Sequence, residues 1–104
     1  MITRIWHGWT THENALDYQE LVEEEILPSI ANRWIRGYRG AHLIRRDHEN
    51  EVEFITLLWF DTPQAVREFA GENQDAAVVP AKARALLSRY DELAAHYQVI
   101  IEPE

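Results

Sequence analysis

Cysteine is absent from this chain of 104 residues. That excludes disulfides, thiolate catalysis and any metal site built on cysteine. Basic side chains never run longer than the pair Arg45-Arg46, and the formal net charge is −8. The positive footprint that nucleic acid or an anionic membrane surface requires is therefore missing. Apolar runs stop at about four residues, far short of the roughly 20 that cross a bilayer. The first residues lack the charged and apolar regions of a signal peptide, so a cytoplasmic location is the expectation. No repeat, low-complexity tract or linker divides the chain, which reads as one domain over 1–104.

Apolar surface, by contrast, is plentiful. The composition is 46% hydrophobic, with four Trp, four Tyr and three Phe, as expected of a globular domain. "ITRIWHGWT" (2–10) is rich in β-branched and aromatic residues and predicts a first strand. Thr11 or His12 leads into a helix of about twenty residues, in which Ala15, Tyr18, Val22, Ile26 and Ile30 form one apolar stripe. Glu23, Glu24 and Glu25 read as its solvated face. Pro28 predicts a kink or a restart, and Gly37 is expected to close the helix. "RGAHLIRRDHENEVEFITLLWF" (39–60) predicts two strands joined tightly around "DHENE". Thr62 and Pro63 start a short helix that Gly71 stops. Pro80 starts another, with Ala83, Leu86, Leu87 and Tyr90 on one face. "HYQVIIE" (96–102) is the expected closing strand. The order β-α-β-β-α-α-β predicts an α+β, ferredoxin-like split βαβ fold with its second helix broken in two.

The strand at 52–60 is apolar on both faces: Phe54, Leu58 and Phe60 alternate with Ile55, Leu57 and Trp59. Both faces must then be covered. Helices cover only one, so an apolar patch remains, and the expected cover is a second copy packed face to face.

"FITLLWFDTPQAVREFAGE", "AAVVP" and "HYQV", with "GYRGAHLIRR" after the first helix, resemble small proteins of the antibiotic biosynthesis monooxygenase superfamily. The likeness runs from Ile2 to about Ile101 and is greatest to an uncharacterised branch with a "FAG" helix end. It implies a dimeric α+β barrel with a pocket between sheet and helices in each subunit. It also implies oxidation of polycyclic phenols to quinones by O₂, without flavin, metal or haem, and the expectation for this chain is a monooxygenase acting on a small phenolic or polyketide-like aromatic. Haem-degrading members carry a Trp and an axial His at places that look like Phe69 and an apolar residue near Val79 here.

Direct oxygenation of a phenol needs a cavity that excludes water, a group that favours the anion, and a reacting carbon held near O₂. His can accept the proton near pH 7. His7 and His96 are the candidate catalytic residues. His96 and Tyr97 point to opposite faces of the last strand; Tyr97 is expected in the core or the dimer contact, and His7 is the better placed imidazole for a pocket. Trp6, His42, Trp59 and Tyr90 are candidates for binding an aromatic substrate, although core packing is the commoner role of such rings. His12 and His48 lie in a helix start and a hairpin, and Arg36, Arg39 and Arg84 read as surface charges. No HxxxH or HxH spacing occurs, so no metal site is expected, though strand geometry could gather His7, His42 and His96 on one face. No Gly-rich phosphate turn suggests a bound flavin, and no cofactor is expected. Two further readings remain open on this fold: a non-catalytic binding or stress-associated dimer with a nearly filled pocket, and an isomerase or lyase using one His.

Overall fold

The computed structural model describes residues 1–103. Its centre is β1 (Ile2–Thr10), which pairs antiparallel along its whole length with β3 (Val52–Phe60), from Ile2 opposite Phe60 to Thr10 opposite Val52. β2 (Tyr38–Asp47) forms a hairpin with β3. The other edge of β1 carries two short strands end to end. β4 (Leu87–Tyr90) pairs at Gly8–Thr10, and β5 (Ala95–Gln98) pairs at Ile2–Ile5. The strand order β2-β3-β1-β4, with β5 also on β1, is the ferredoxin-like order with its last strand split.

Alternation decides what each face carries. The even residues of β1 and β3 turn toward the helices, and Val52, Phe54, Leu58 and Phe60 are buried there. The odd residues, including Ile5, Ile55, Leu57 and Trp59, line a face that no helix covers. Gly8 lies on the covered face, where an added Cβ would stand 2.9 Å from a side-chain methyl of Leu87, so a larger residue would have to displace that side chain.

The expected twenty-residue helix is three consecutive pieces: α1 (Ala15–Leu21), a π-helical turn (Val22–Ile26) and α2 (Leu27–Ala31). Pro28 offers no N–H to the turn before it, and the wider π turn accommodates that loss. The helix also ends sooner than Gly37. Trp34 adopts φ 52°, a left-handed value rare for a bulky residue, and Gly37 (φ 91°) shapes the following loop instead. α3 (Pro63–Ala70) forms as predicted, with the Thr62 hydroxyl accepting from the Ala65 N–H at 3.2 Å.

Two further expectations are corrected at the C-terminal end. α4 (Ala81–Leu86) stops at Leu86, and residues 87–90 are strand, because the edge of β1 at Gly8–Thr10 offers them backbone partners. Tyr90 is thus on a strand, not on a helix facing Trp59. The closing strand is shorter than 96–102. After Gln98 one further bond joins the Val99 N–H to the Met1 carbonyl at 2.9 Å, and Ile100 and Ile101 are exposed.

Under the covered face the core is two clusters. One gathers Tyr18, Val22, Val52, Phe54 and Ala83; the other gathers Ile30, Leu58, Phe60, Val66 and Phe69. Ile26 and Leu27, at the π turn, pack against both. Each fully buried large side chain stabilises the fold by about 1.5–3 kcal/mol. No helix among the described residues is long and apolar enough to cross a membrane.

Candidate functional site

The seam between the two clusters is not filled. A cavity of about 60 Å³ lies between sheet and helices, opening toward solvent near Val78 and Pro80. Its walls are mostly apolar, with Trp6, Tyr18, Val22, Ile26, Ile30 and Phe69 among them. No Asp or Glu lines it; Arg4 does.

Arg4 is only 3% exposed, on the covered side of β1. A buried cation survives only when its donors are matched by acceptors. One terminal nitrogen donates to the Gln74 carbonyl and, at 2.9 Å, to Nε2 of His96. The other donates to the Ala76 carbonyl at 2.8 Å. Its guanidinium carbon lies 5.3 Å from the centre of the Phe69 ring, within cation–π range. Guanidinium carries five N–H groups; these three bonds leave two for another partner. Burial lowers the Arg4 pKa and the carboxylate of Asp75 raises it in opposition, and a guanidinium remains charged regardless.

His96 is held from both sides. Arg4 can only donate, so Nε2 of His96 accepts and its proton sits on Nδ1, which lies 3.3 Å from Asp75 Oδ1. Desolvation and then the Arg4 charge lower the His96 pKa, against the pull of Asp75. The imidazole is therefore neutral at pH 7, and the chain Asp75–His96–Arg4 fixes its tautomer.

The six residues singled out in the sequence divide between the faces. Trp6 lines the cavity, and its ring lies 5.8 Å from that of Tyr90. Its indole N–H donates to the Asp91 carbonyl at 2.6 Å. His96 stands behind Arg4 and borders a shallow outer groove with Met1, Asp61 and Tyr97. His7, His42 and Trp59 lie on the open face. His7 Nδ1 is 3.0 Å from Glu53 Oε2, and His48 Nε2 is 2.9 Å from Oε1 of the same carboxylate. Hydrogen bonds from His48 and His7 hold the Glu53 carboxyl below its usual range. The Trp59 indole donates to Nδ1 of His42 at 3.0 Å. His7 and His42 thus share a face that His96 does not, and no group of three or more His, Asp or Glu among the described residues is placed to hold a metal.

Sequence reasoning passed over Arg4 and Tyr18. The signal for Arg4 was present: it falls in phase with Ile2 and Trp6, and a charge in the phase of the core is more informative than any exposed one. Tyr18 falls in the apolar stripe of the first helix, where its hydroxyl gives no signal of its own.

No family model and no curated protein matches this chain. Solved structures do. A protein from Bacillus cereus, described as a candidate antibiotic biosynthesis monooxygenase, superposes with a TM-score of 0.63 over 99% of this chain and 96% of its own, at 8% identity. Rv0793 from Mycobacterium tuberculosis superposes with a TM-score of 0.59 over 99% of this chain and 98% of its own, at 17% identity. At such identities the likeness is one of fold, and it extends over nearly the whole chain.

Proposed function

We propose that this chain is a cofactor-independent oxygenase of the antibiotic biosynthesis monooxygenase type, acting on a small single-ring phenol in the cavity between sheet and helices. The observation that carries this reading is Arg4, a buried cation with unused donors at the wall of an apolar, aromatic-lined cavity. A cation in a dry site favours phenolate over phenol, and phenolate directs electron density to the ring carbon that meets O₂. A phenol with a free para C–H plus O₂ yields a quinone plus water, with no outside reductant. In this scheme Arg4 stabilises the anion and His96 positions Arg4; the phenol's proton leaves through the open mouth. The fold shared with the Bacillus cereus protein supports the reading.

Size narrows the substrate. A cavity of about 150 Å³ takes up benzene, and this one measures about 60 Å³. A ring therefore enters oxygen first, with its far end in the mouth, and a polycycle meets the walls. Oxygen uptake and quinone formation, followed with substituted phenols, hydroquinones and an anthrone, test the proposal. Uptake with single-ring phenols that disappears in Arg4→Met is expected; a folded protein inert toward all of them ends the oxygenase reading. The narrow cavity also favours a second reading, a binding protein without turnover, which the same protein would reveal by binding phenols it does not oxidise.

The open face is assigned to a second copy. Ile5, Ile44, Ile55, Leu57, Trp59 and Tyr97 share it, and an apolar surface of that extent is characteristic of an interface. His7, His42 and Trp59 then serve the contact. Sedimentation equilibrium is expected to give twice the chain mass, and Leu57→Asp to give single chains or aggregate. A single-chain mass for the unmodified protein at micromolar concentration would end this assignment.

A further inference from the structure

Tyr18 is 2% exposed and lines the cavity, and its hydroxyl takes part in no side-chain hydrogen bond among the described residues. Desolvation alone pushes its pKa up to about 12, so at neutral pH the hydroxyl keeps its proton and is a donor in search of an acceptor. Packing does not require that oxygen. The ring meets Phe54 edge-on at 4.9 Å and fills the helix stripe, and Phe would do both equally well. Among the described residues the one fully enclosed side-chain polar atom without a partner is Thr10 Oγ1, so the Tyr18 oxygen touches open space, and the open space that Tyr18 lines is the cavity. Thr56 adds a second hydroxyl to the same walls, on the covered side of β3. The polar groups presented to the cavity are thus a guanidinium with spare N–H groups and two hydroxyls, with no carboxylate facing them.

We propose that Tyr18 is a specificity-determining residue, donating its hydroxyl hydrogen to the anionic oxygen of a single-ring phenolate that Arg4 neutralises. The assignment rests on the cavity being the substrate site, as proposed above. Donors on the walls with no matching carboxylate select an acceptor that brings its own charge. A neutral ring of the same shape leaves the donors unpaired and is discriminated against.

4-Nitrophenol is a suitable probe, because its phenol and phenolate absorb at different wavelengths and its nitro end can remain in the mouth. On binding to the unmodified protein its ionisation is expected to shift toward phenolate. Tyr18→Phe, which removes one oxygen, is expected to weaken phenolate binding at least about tenfold, the usual effect of losing a hydrogen bond to a charged group. 4-Nitroanisole, which cannot ionise, is expected to bind Tyr18→Phe at least as well as the parent, because one unpaired donor has gone, and the thermal melt of Tyr18→Phe to match or exceed that of the parent. Equal phenolate affinity in the two proteins would overturn the proposal and show that the hydroxyl is served by water only. Absence of any nitrophenolate binding would overturn it as well. Binding with the expected Tyr18→Phe loss, but no oxygen uptake with any phenol, would end the oxygenase reading and leave this one standing. Turnover indifferent to Tyr18→Phe would do the reverse.

Discussion

The two faces of the sheet carry similar side chains in different conditions. On the open face His7 and His48 share the Glu53 carboxylate, and His42 accepts from Trp59 within reach of water. On the covered face Arg4, His96 and Asp75 form one chain behind an apolar cavity. Partly exposed ion pairs contribute little to stability, although those on the open face hold the Glu53 carboxyl below its usual range. Burial lowers the His96 pKa, and the contacts of Arg4 and Asp75 fix its tautomer and leave two Arg4 N–H groups without a bond among the described residues. Five histidines therefore say less about which polar groups the fold buries than one arginine in the wrong phase of a strand.

The comparison can be broken most severely by shortening a side chain on each face. Phe54→Ala, on the covered face, is expected to lose about 3–5 kcal/mol in urea unfolding. Leu57→Ala, one turn of the alternation away, is expected to lose much less within the single chain and to weaken association instead. Equal losses would mean that the open face is as well packed as the core.

Next in size is Arg4→Met, which keeps bulk but removes the donors that hold the Gln74 and Ala76 carbonyls. A loss of about 2–3 kcal/mol is expected, the usual consequence of orphaned buried acceptors, with protease sensitivity appearing first at residues 72–79. A variant as stable as the parent would show that this segment does not depend on Arg4.

A smaller effect concerns pH. The His96 pKa is lowered in the fold by burial and by Arg4, so the unfolded chain takes up a proton there first. The corresponding stability is present above about pH 6.5 and is lost as pH falls through the lower folded value. Glu53, held low by His48 and His7, contributes stability that is lost only further down, as pH falls below the ordinary carboxylate range. His96→Gln is expected to flatten the first slope and leave the second. If the first slope survives in His96→Gln, it belongs to another group. Smallest of all is Tyr97→Ala, expected to change single-chain stability by less than about 1 kcal/mol, since Tyr97 is 56% exposed on the open face; melting curves of the dilute protein would test it.

Period-2 and period-3.6 patterns carried the architecture. Alternation in 52–60 identified both the buried set and the open set, and the Thr62-Pro63 start and Gly71 stop bounded α3 as expected. Local pattern could not show that residues 87–90 leave the helical stripe, because what draws Leu87 and Tyr90 into a strand is the free edge of β1, some eighty positions away in the chain. The same holds for the site. Nothing near Arg4 in sequence announces His96, Gln74 or Ala76, and Tyr18 fits an apolar stripe whether or not its oxygen is used. Side-chain type was legible; which groups meet was settled by long-range pairing.

That pairing has a consequence for how the chain comes to fold. Arg4 and His96 are 92 positions apart, yet they are neighbours across β1 and β5. Contacts so distant close the largest loops and form slowly. During synthesis β1 emerges first, and its outer edge must wait until residues 87–98 have followed. Through that interval Ile2–Ile5 present unpaired backbone, and the future cavity has a cation at its wall with neither imidazole nor loop carbonyls to receive it. Of the strands in this sheet the earliest made is the last to be completed, and a chain stopped short of Ala95 would keep an open sheet edge.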